Sequence, residues 1–242
     1  MRVDDVTRPE VIDKVRAWIL RRDSCHIVTP NAEIVMQAQM DADLGRILNN
    51  SALAIPDGRG LLLAARLLGS RLREQVTGTD VFIDLCREAS VTGWRVFLLG
   101  SGKSVGAQAA DRLHKWFPGL TIAGVYSGSP RPEDDASIRD VISQAGRVDI
   151  LVVAYGAPAQ ERWIERNQKL LDIPIAIGVG GVLDFVSGRV PRAPAWLRHL
   201  GFDWLFRLMV QPWRWRRQLA LPRFAFLVLS LALRRRLRIL TR

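Results

Sequence analysis

The chain has 242 residues, enough to bury a substantial core, and 48% of them are hydrophobic, which argues against bulk disorder. Its two cysteines, Cys25 and Cys86, lie far apart and form no CxxC pair, which argues against a disulfide framework or a zinc site. The formal net charge is +11, and thirteen arginines against one acid between 189 and 242 supply +12 of it. The first 188 residues are therefore nearly neutral. Their start, "MRVDDVTRPEVIDKV", is acidic and has no apolar stretch, so no secretory signal is expected.

Short apolar runs alternate with helical patterns over the first 190 residues. The predicted strands are 25–29, 52–56, 95–100, 121–126, 149–155 and 173–179. The predicted helices between and after them are 31–49, 59–68, 79–92, 104–117, 133–146 and 159–171. Continuously apolar strands are typical of parallel sheets that are covered on both faces. The order predicts an α/β, Rossmann-like fold, with a domain boundary near the prolines of "GRVPRAP" that separates 1–190 from 191–242.

Ligands of open α/β sheets bind at the carboxyl ends of the strands. Small or polar residues follow five of the predicted strands, in the stretches 29–31, 56–60, 100–104, 154–163 and 178–184. These five stretches are expected to converge on one crevice, although a glycine after a strand is often only a turn residue.

The stretch "GSGKS" at 100–104 resembles a phosphate-binding loop without matching one. A Walker motif requires glycine where this chain has Phe97, and Gly106 comes one residue too late for a dinucleotide fingerprint. A dinucleotide-dependent oxidoreductase is therefore disfavoured. The glycines and Ser104 still offer backbone N–H groups to a phosphate at a helix start.

Two other sets of polar residues favour structural roles. Asp41-Ala42-Asp43 has the spacing of a DxD metal motif but falls inside a predicted amphipathic helix, where a solvated face is the expected reading. The histidines at 26, 114 and 199 are scattered, so structural roles are favoured over catalytic ones. No metal site is predicted.

Seven motifs in order resemble the WecG/TagA/CpsF glycosyltransferases (glycosyltransferase family 26) over nearly the whole chain. They are "TPN" at 29–31, "IPDGRG" at 55–60, "VTGTD" at 76–80, "VFLLGSG", "YGAPAQERW" at 155–163, "GVGGVLDFVSGRVPRAP" at 178–194 and "GFDWLFRLMVQPWRWRR" at 201–217. The resemblance implies inverting transfer of a sugar (of the N-acetylmannosamine, uronate or glucose type) from a UDP-sugar to a polyprenyl-diphosphate-linked sugar. It implies no cofactor and no metal.

The resemblance also assigns roles to individual residues. It implies that Asp57 is the general base that takes the proton of the acceptor hydroxyl. The implied substrate-binding residues are Thr29, Asn31, Gly58, Gly100, Gly102, Tyr155, Gln160, Glu161 and Gly180. Two alternatives stay open: Asp57 could instead cap the helix that begins near Arg59, and Glu161 could only favour the dipole of a helix start. Gln160 is expected to point toward the crevice.

One position departs from the resemblance. Family members commonly carry an arginine where this chain has Gln75, so a phosphate-binding task would pass to Arg73, Lys103 or a tail arginine. The alternative function, a non-catalytic nucleotide- or lipid-binding protein on the same fold, rests on this departure.

The C-terminal segment is basic and rich in tryptophan. Its apolar run 224–233 would extend about 15 Å as a helix, against a bilayer core of roughly 30 Å, so it is too short to span. Apolar side chains interleaved with arginines predict a helical element on an anionic membrane surface. The resemblance implies a peripheral protein at the cytoplasmic face of the bacterial inner membrane. Arg207, Arg214 and Arg217 are the implied lipid-diphosphate ligands. A nucleic-acid partner is disfavoured. The plainer alternative to a membrane-surface element is a buried amphipathic helix. The oligomeric state is left open, with a homo-oligomer as one option.

Overall fold

A six-stranded parallel sheet forms the centre of the protein. The computed structural model describes residues 1–240, and the side chains of all of these except His199, Arg236 and 238–240. The strands are β1 (Cys25–Val28), β2 (Leu53–Ala54), β3 (Arg95–Gly100), β4 (Thr121–Tyr126), β5 (Ile150–Ala154) and β6 (Ile175–Gly178). Their order in the sheet is β2-β1-β6-β5-β3-β4. All six predicted strands are confirmed, although β2 is shorter than predicted.

Helices cover both faces of this sheet, so the predicted α/β architecture is confirmed. The helices of the first 190 residues are α1 (Arg8–Arg21), α2 (Ala32–Met40), α3 (Ala42–Asn50), α4 (Arg59–Leu67), α5 (Gly78–Thr92), α6 (Val105–Trp116), α7 (Asp135–Gln144), α8 (Ala159–Asn167) and α9 (Val182–Ser187). Helices α1, α5, α6 and α9 pack on one face, and α7 and α8 pack on the other. The central strand β5 is buried along its whole length, as expected for a strand between two helical layers.

The prediction missed the helices α1 and α9 and merged α2 with α3. The helix α1 is missing from the predicted set, although Glu10 accepts a hydrogen bond from the backbone N–H of Thr7 at 2.9 Å in a capping box. The predicted helix 31–49 is two helices, because Asp41 breaks the pattern. Its extended backbone ends α2, and its carboxylate accepts from the backbone N–H of Leu44 at 3.0 Å and so caps α3.

Asp41 and Asp43 are bound to arginines rather than arranged as a metal site. Asp41 pairs with Arg162 of α8, and Asp43 pairs with Arg46 and, at 3.4 Å, with Arg162. In the part of the chain that the structure describes, no group of three or more His, Cys, Asp or Glu side chains is placed to hold a metal ion.

The C-terminal segment is helical and packs back on the sheet domain. It consists of α10 (Ala195–Leu200), α11 (Asp203–Val210), α12 (Trp215–Gln218) and α13 (Ala220–Leu240). Phe224 and Val228 of α13 are buried against α2 and α4, whereas Phe226 is 75% exposed. The plainer alternative, a buried amphipathic helix, therefore applies to one side of α13 only. Among the described residues, no helix combines the length and the apolar character needed to cross a bilayer.

The capping role of Asp41 gives a stability prediction. Asp41→Ala removes the N-cap of α3 and the ion pair to Arg162, and should lower the free energy of unfolding by about 1 kcal/mol in urea denaturation. The matched control is Asp43→Ala, which removes only exposed ion pairs and should cost clearly less. Equal losses in the two variants would contradict the capping role.

Candidate active site

Five strand exits of the sheet meet at its carboxyl edge and form the candidate crevice. The chain leaves β1 to form β2 at one edge of the sheet, and it returns as β3 on the far side of β5 and β6. Such a change of direction is where open α/β sheets bind ligands. The residues after β1, β2, β5 and β6 are brought together here, as the sequence predicts.

Asp57 follows β2, the outermost strand of the sheet, and lies beside the exit of β1. Its backbone N–H donates to the carbonyl of Pro30 at 3.0 Å, and its carboxylate accepts from the backbone N–H of Gly78 at 3.3 Å. The helix α4 has Gly58 as its N-cap and no side-chain capping bond. The alternative in which Asp57 caps α4 is therefore wrong. The carboxylate lies instead against the N-terminus of α5.

The environment of Asp57 favours its neutral form. Burial raises the pKa of its carboxyl to about 7, and the negative charges of Asp203 and Asp80 act in the same direction. The hydrogen bond from Gly78 and the positive charge of Arg207 oppose this shift of the pKa. A carboxyl group that titrates near neutral pH can exchange a proton with a substrate hydroxyl, as a general base requires.

Thr29 and Asn31 follow β1 and are both held by the fold. The hydroxyl of Thr29 is buried and donates to the carbonyl of Gly178 at 3.2 Å, which ties β1 to β6. The side-chain oxygen of Asn31 accepts from the backbone N–H of Ile34 at 3.0 Å and caps α2. The hydroxyl oxygen of Thr29 can still accept a hydrogen bond, and the side-chain NH₂ group of Asn31 is not used by these bonds.

Gln160 and Glu161 are buried, and their polar atoms are bonded inside the protein. The oxygen of Gln160 accepts from the backbone N–H of Gly156 at 3.0 Å and of Gly180 at 2.9 Å, so one amide joins the exits of β5 and β6. Glu161 accepts from Gln160 at 2.9 Å and contacts Nε2 of His26 at 2.7 Å. Glu161 lies in the first turn of α8, where a negative charge favours the helix dipole, so this alternative stays open beside its hydrogen bonds.

Tyr155 packs into the core beside the crevice. Its ring meets Trp163 edge-on, with 6.3 Å between the ring centroids. Burial raises the pKa of its hydroxyl well above the usual range. That hydroxyl is buried and has no hydrogen-bond partner among the described residues.

The exit of β3 has a backbone suited to anion binding. Gly100, Ser101 and Ser104 all have positive φ angles, of 97°, 68° and 69°. A side chain at Gly100 would lie 2.9 Å from the backbone of Ala154, so only glycine fits there. The loop leads into the N-terminus of α6, where backbone N–H groups are unpaired, and Arg189 contacts Ser104 at 3.2 Å.

Arg207, Arg214 and Arg217 of the C-terminal segment form the cationic side of the crevice. Burial, together with the positive charges of Arg214 and Arg217, lowers the pKa of Arg207 to about 10. Its guanidinium lies 5.0 Å from the ring centroid of Phe185, and its Nε is buried without a hydrogen-bond partner among the described residues. Arg217 pairs with Glu33, and Arg214 donates to Gln211 at 2.9 Å.

The geometry narrows the choice of a substitute for the missing arginine at Gln75. Arg73 is bound to Asp5 at 3.0 Å and to Glu10 at 2.7 Å, near the N-terminus, so it is occupied by structural ion pairs. Within the described residues, no carboxylate lies within ion-pair distance of Arg207 or Arg214. Lys103 has no ion pair with a carboxylate among these residues either, so Lys103 and the two tail arginines remain as candidate cations for an anionic ligand.

Three contributors to the site went unnoticed in the sequence. Gly78 supplies an N–H group to Asp57, and Asp80 and Asp203 supply negative charge. The motifs "VTGTD" and "GFDW" contain all three residues, but nothing in the sequence connects them to Asp57. His26 is likewise joined to a site residue, whereas the side chain of His199 lies outside the described part of the chain.

Comparison with known proteins identifies the family of the chain. The model of the "Glycosyl transferase WecG/TagA/CpsF family" matches residues 1–238. The chain belongs to this family. One relative is the N-acetylglucosaminyldiphosphoundecaprenol N-acetyl-beta-D-mannosaminyltransferase of Bacillus subtilis (strain 168), 36% identical over 84% of this chain and 78% of the relative. A protein of the same name from Staphylococcus aureus (strain MRSA252) is 26% identical over 92% of this chain and 87% of the relative.

The raised pKa of Asp57 predicts a pH-dependent effect on stability. The folded protein holds a proton on Asp57 that the unfolded chain releases above a pH of roughly 4, so the stability from this group is lost as the pH rises through about 7. Asp57→Asn carries no charge to bury. The difference in melting temperature between the variant and the wild type should therefore shift in favour of the variant when the pH is raised from 5 to 8. A difference that does not change between the two pH values would contradict the raised pKa.

Proposed function

We propose that this protein transfers N-acetylmannosamine from a UDP-sugar to N-acetylglucosamine on a polyprenyl diphosphate, with inversion at the anomeric carbon. The observation that carries the proposal is the position of Asp57, whose carboxylate accepts from the backbone N–H of Gly78 at a strand exit and lies within electrostatic reach of Arg207. The relatives named above supply the sugar and the acceptor. A uronate- or glucose-type donor sugar is the other outcome that the experiment below distinguishes.

The proposed reaction uses Asp57 as the base. The carboxylate takes the proton of the acceptor hydroxyl while the hydroxyl oxygen forms its bond to the anomeric carbon of the donor. The bond between that carbon and the diphosphate breaks, and its electron pair leaves with UDP. Thr29 and Asn31, beside Asp57, are proposed to orient the sugars, Thr29 as an acceptor through its hydroxyl oxygen and Asn31 as a donor through its side-chain NH₂ group.

Protein groups carry the diphosphate charges in this proposal. The loop 100–104, with Gly100 and Gly102, offers backbone N–H groups at the start of α6. Arg207, Arg214 and Arg217 offer guanidinium groups, which bind phosphate oxygens through paired charge-assisted hydrogen bonds. Gly58, Tyr155 and Gly180, in the other loops, are proposed to line the substrate site. Gln160 and Glu161 are proposed to support the loops after β5 and β6 from beneath.

The C-terminal segment, 191–242, is proposed to lie on an anionic membrane surface at the cytoplasmic face of the bacterial inner membrane. It exposes large apolar side chains, among them Trp196, Met209, Trp213, Trp215 and Phe226, each more than half exposed. Aromatic and aliphatic side chains next to arginines favour the membrane interface. This position would also bring the arginines to a lipid-linked acceptor.

A direct assay tests the proposed function. The full chain is incubated with several UDP-sugars and a short-chain lipid-diphosphate-linked N-acetylglucosamine, with and without EDTA. UDP-N-acetylmannosamine should give UDP and a β-linked disaccharide lipid, and EDTA should not reduce the rate. Binding of UDP without turnover of any donor would instead support the non-catalytic alternative.

The role of Asp57 gives a kinetic prediction. Asp57→Asn removes the proton acceptor and should lower kcat by about 10² to 10⁴ while leaving UDP affinity nearly unchanged. In the wild type, kcat/KM should rise as the pH increases toward about 7 and then level off, because the carboxylate form is the base. Full activity of the Asn variant would remove Asp57 from the mechanism.

The role of the arginines gives a second kinetic prediction. Arg207→Lys keeps the positive charge but loses the paired hydrogen bonds, and should lower kcat/KM on the soluble short-chain acceptor by about 10-fold to 100-fold. Arg216→Lys is the matched control. Arg216 belongs to the same segment but is not among the proposed ligands, and its guanidinium lies 5.5 Å from the ring centroid of Trp215. Equal activities of the two variants on this acceptor, at unchanged vesicle binding, would reduce the arginines to a membrane anchor.

A further inference from the structure

A buried row of three polar side chains lies beneath the crevice and ends on its loops. It starts at His26 in β1, continues through Glu161, and reaches Gln160 in the first turn of α8. The amide oxygen of Gln160 then accepts from the backbone N–H groups of Gly156 and Gly180. Glu161 is fully buried and Gln160 is 2% exposed, so water does not supply alternative partners.

The hydrogen-bond directions in this row follow from its two ends. Both backbone groups are donors, so the oxygen of Gln160 must face them and its NH₂ group must face Glu161. A carboxylate only accepts hydrogen bonds, so its second oxygen needs another donor. The Nε2 of His26, at 2.7 Å, is that donor and therefore carries a hydrogen. The orientation of the Gln160 amide thus depends on a residue 134 positions away in the sequence.

The loops that this amide holds are two neighbouring strand exits. Gly156 follows β5 and Gly180 follows β6, with positive φ angles of 80° and 56°. One oxygen that accepts from both sets the distance between these loops. The pair of side chains fits because β6 ends in glycine. A side chain at Gly178 would lie 2.5 Å from the nitrogen of Gln160 and 2.7 Å from Glu161.

We propose that His26 is a positioning residue for the crevice, acting through Glu161 and Gln160 on the loops after β5 and β6, the first of which borders the loop 100–104 that is proposed to bind the donor diphosphate. This inference rests on the proposed function for the identity of the substrate. Without His26, one oxygen of a buried carboxylate loses its donor, which is costly. Glu161 then relaxes away from Gln160, the amide is free to turn, and the two loops lose their common acceptor.

The test compares two substitutions of His26. His26→Leu removes the donor and should raise KM for the UDP-sugar about 10-fold, because small displacements of binding groups are costly to substrate positioning. His26→Gln can place an amide N–H near the position of Nε2 and should restore most of the affinity. A residue needed only for folding would lower the amount of active protein, and thus the apparent kcat, with KM unchanged.

Gln168→Leu is the matched control. Gln168 is another buried amide, and it bonds the carbonyls of Cys25, Ile173 and Pro174 at the amino ends of the same strands, β1 and β6. The loss of these bonds should lower thermal stability and leave KM for the donor unchanged. An equal rise of KM in this variant would show that general loosening of the two strands, and not the row from His26, is responsible.

Amide hydrogen exchange provides a readout that does not depend on turnover. His26→Leu should increase exchange in segments 155–162 and 178–184, His26→Gln should restore protection, and Gln168→Leu should change neither segment. If the wild type transfers no sugar, the proposed function fails while this measurement still tests the role of His26. Unchanged exchange in both segments of His26→Leu, together with unchanged KM, would overturn the inference.

Discussion

The rest of the site depends on where the Asp57 carboxyl group is placed. It lies in a partly buried position and accepts one backbone hydrogen bond, from Gly78. A carboxyl group exposed to water would be fully ionised well below neutral pH and would be a weak base for a sugar hydroxyl. Burial raises its pKa to about 7, so the group remains available as a base while it retains affinity for a proton. The parallel sheet makes this possible, because the exits of β1 and β2 and the start of α5 meet at one edge.

The C-terminal segment affects this carboxyl through charges of both signs. Asp203 raises the pKa of Asp57, whereas Arg207 lowers it, and both residues belong to α11. Asp80 also raises the pKa of Asp57, but its carboxylate is paired with Arg192 at 2.7 Å. The position of the segment therefore influences the pKa of Asp57 directly, in addition to placing the arginines that are proposed to bind an anionic ligand. Packing of Phe224 and Val228 against α2 and α4 keeps the segment beside the site.

The sequence predicted the sheet because its strands are continuous runs of branched apolar residues, which differ clearly from the helical patterns between them. It also predicted that Thr29, Asn31 and Asp57 share one edge, since strand exits converge in any parallel sheet. It could not predict that Gly78 is the partner of Asp57, because that contact depends on how α5 packs. The sequence also could not predict that the side chain of Glu161 is buried, because its partner His26 lies on a strand that is distant in the sequence. The break at Asp41 was missed because apolar spacing continues across it.

The titration of Asp57 in the full chain tests the central claim most directly. The ¹³C chemical shift of its carboxyl carbon can be followed by NMR from pH 4 to 9, with Asp57→Asn used to assign the signal. The account predicts a midpoint near 7, set by burial and by the neighbouring charges. A midpoint near 4, the ordinary value for an exposed aspartate, would contradict the role of this carboxyl as a poised base.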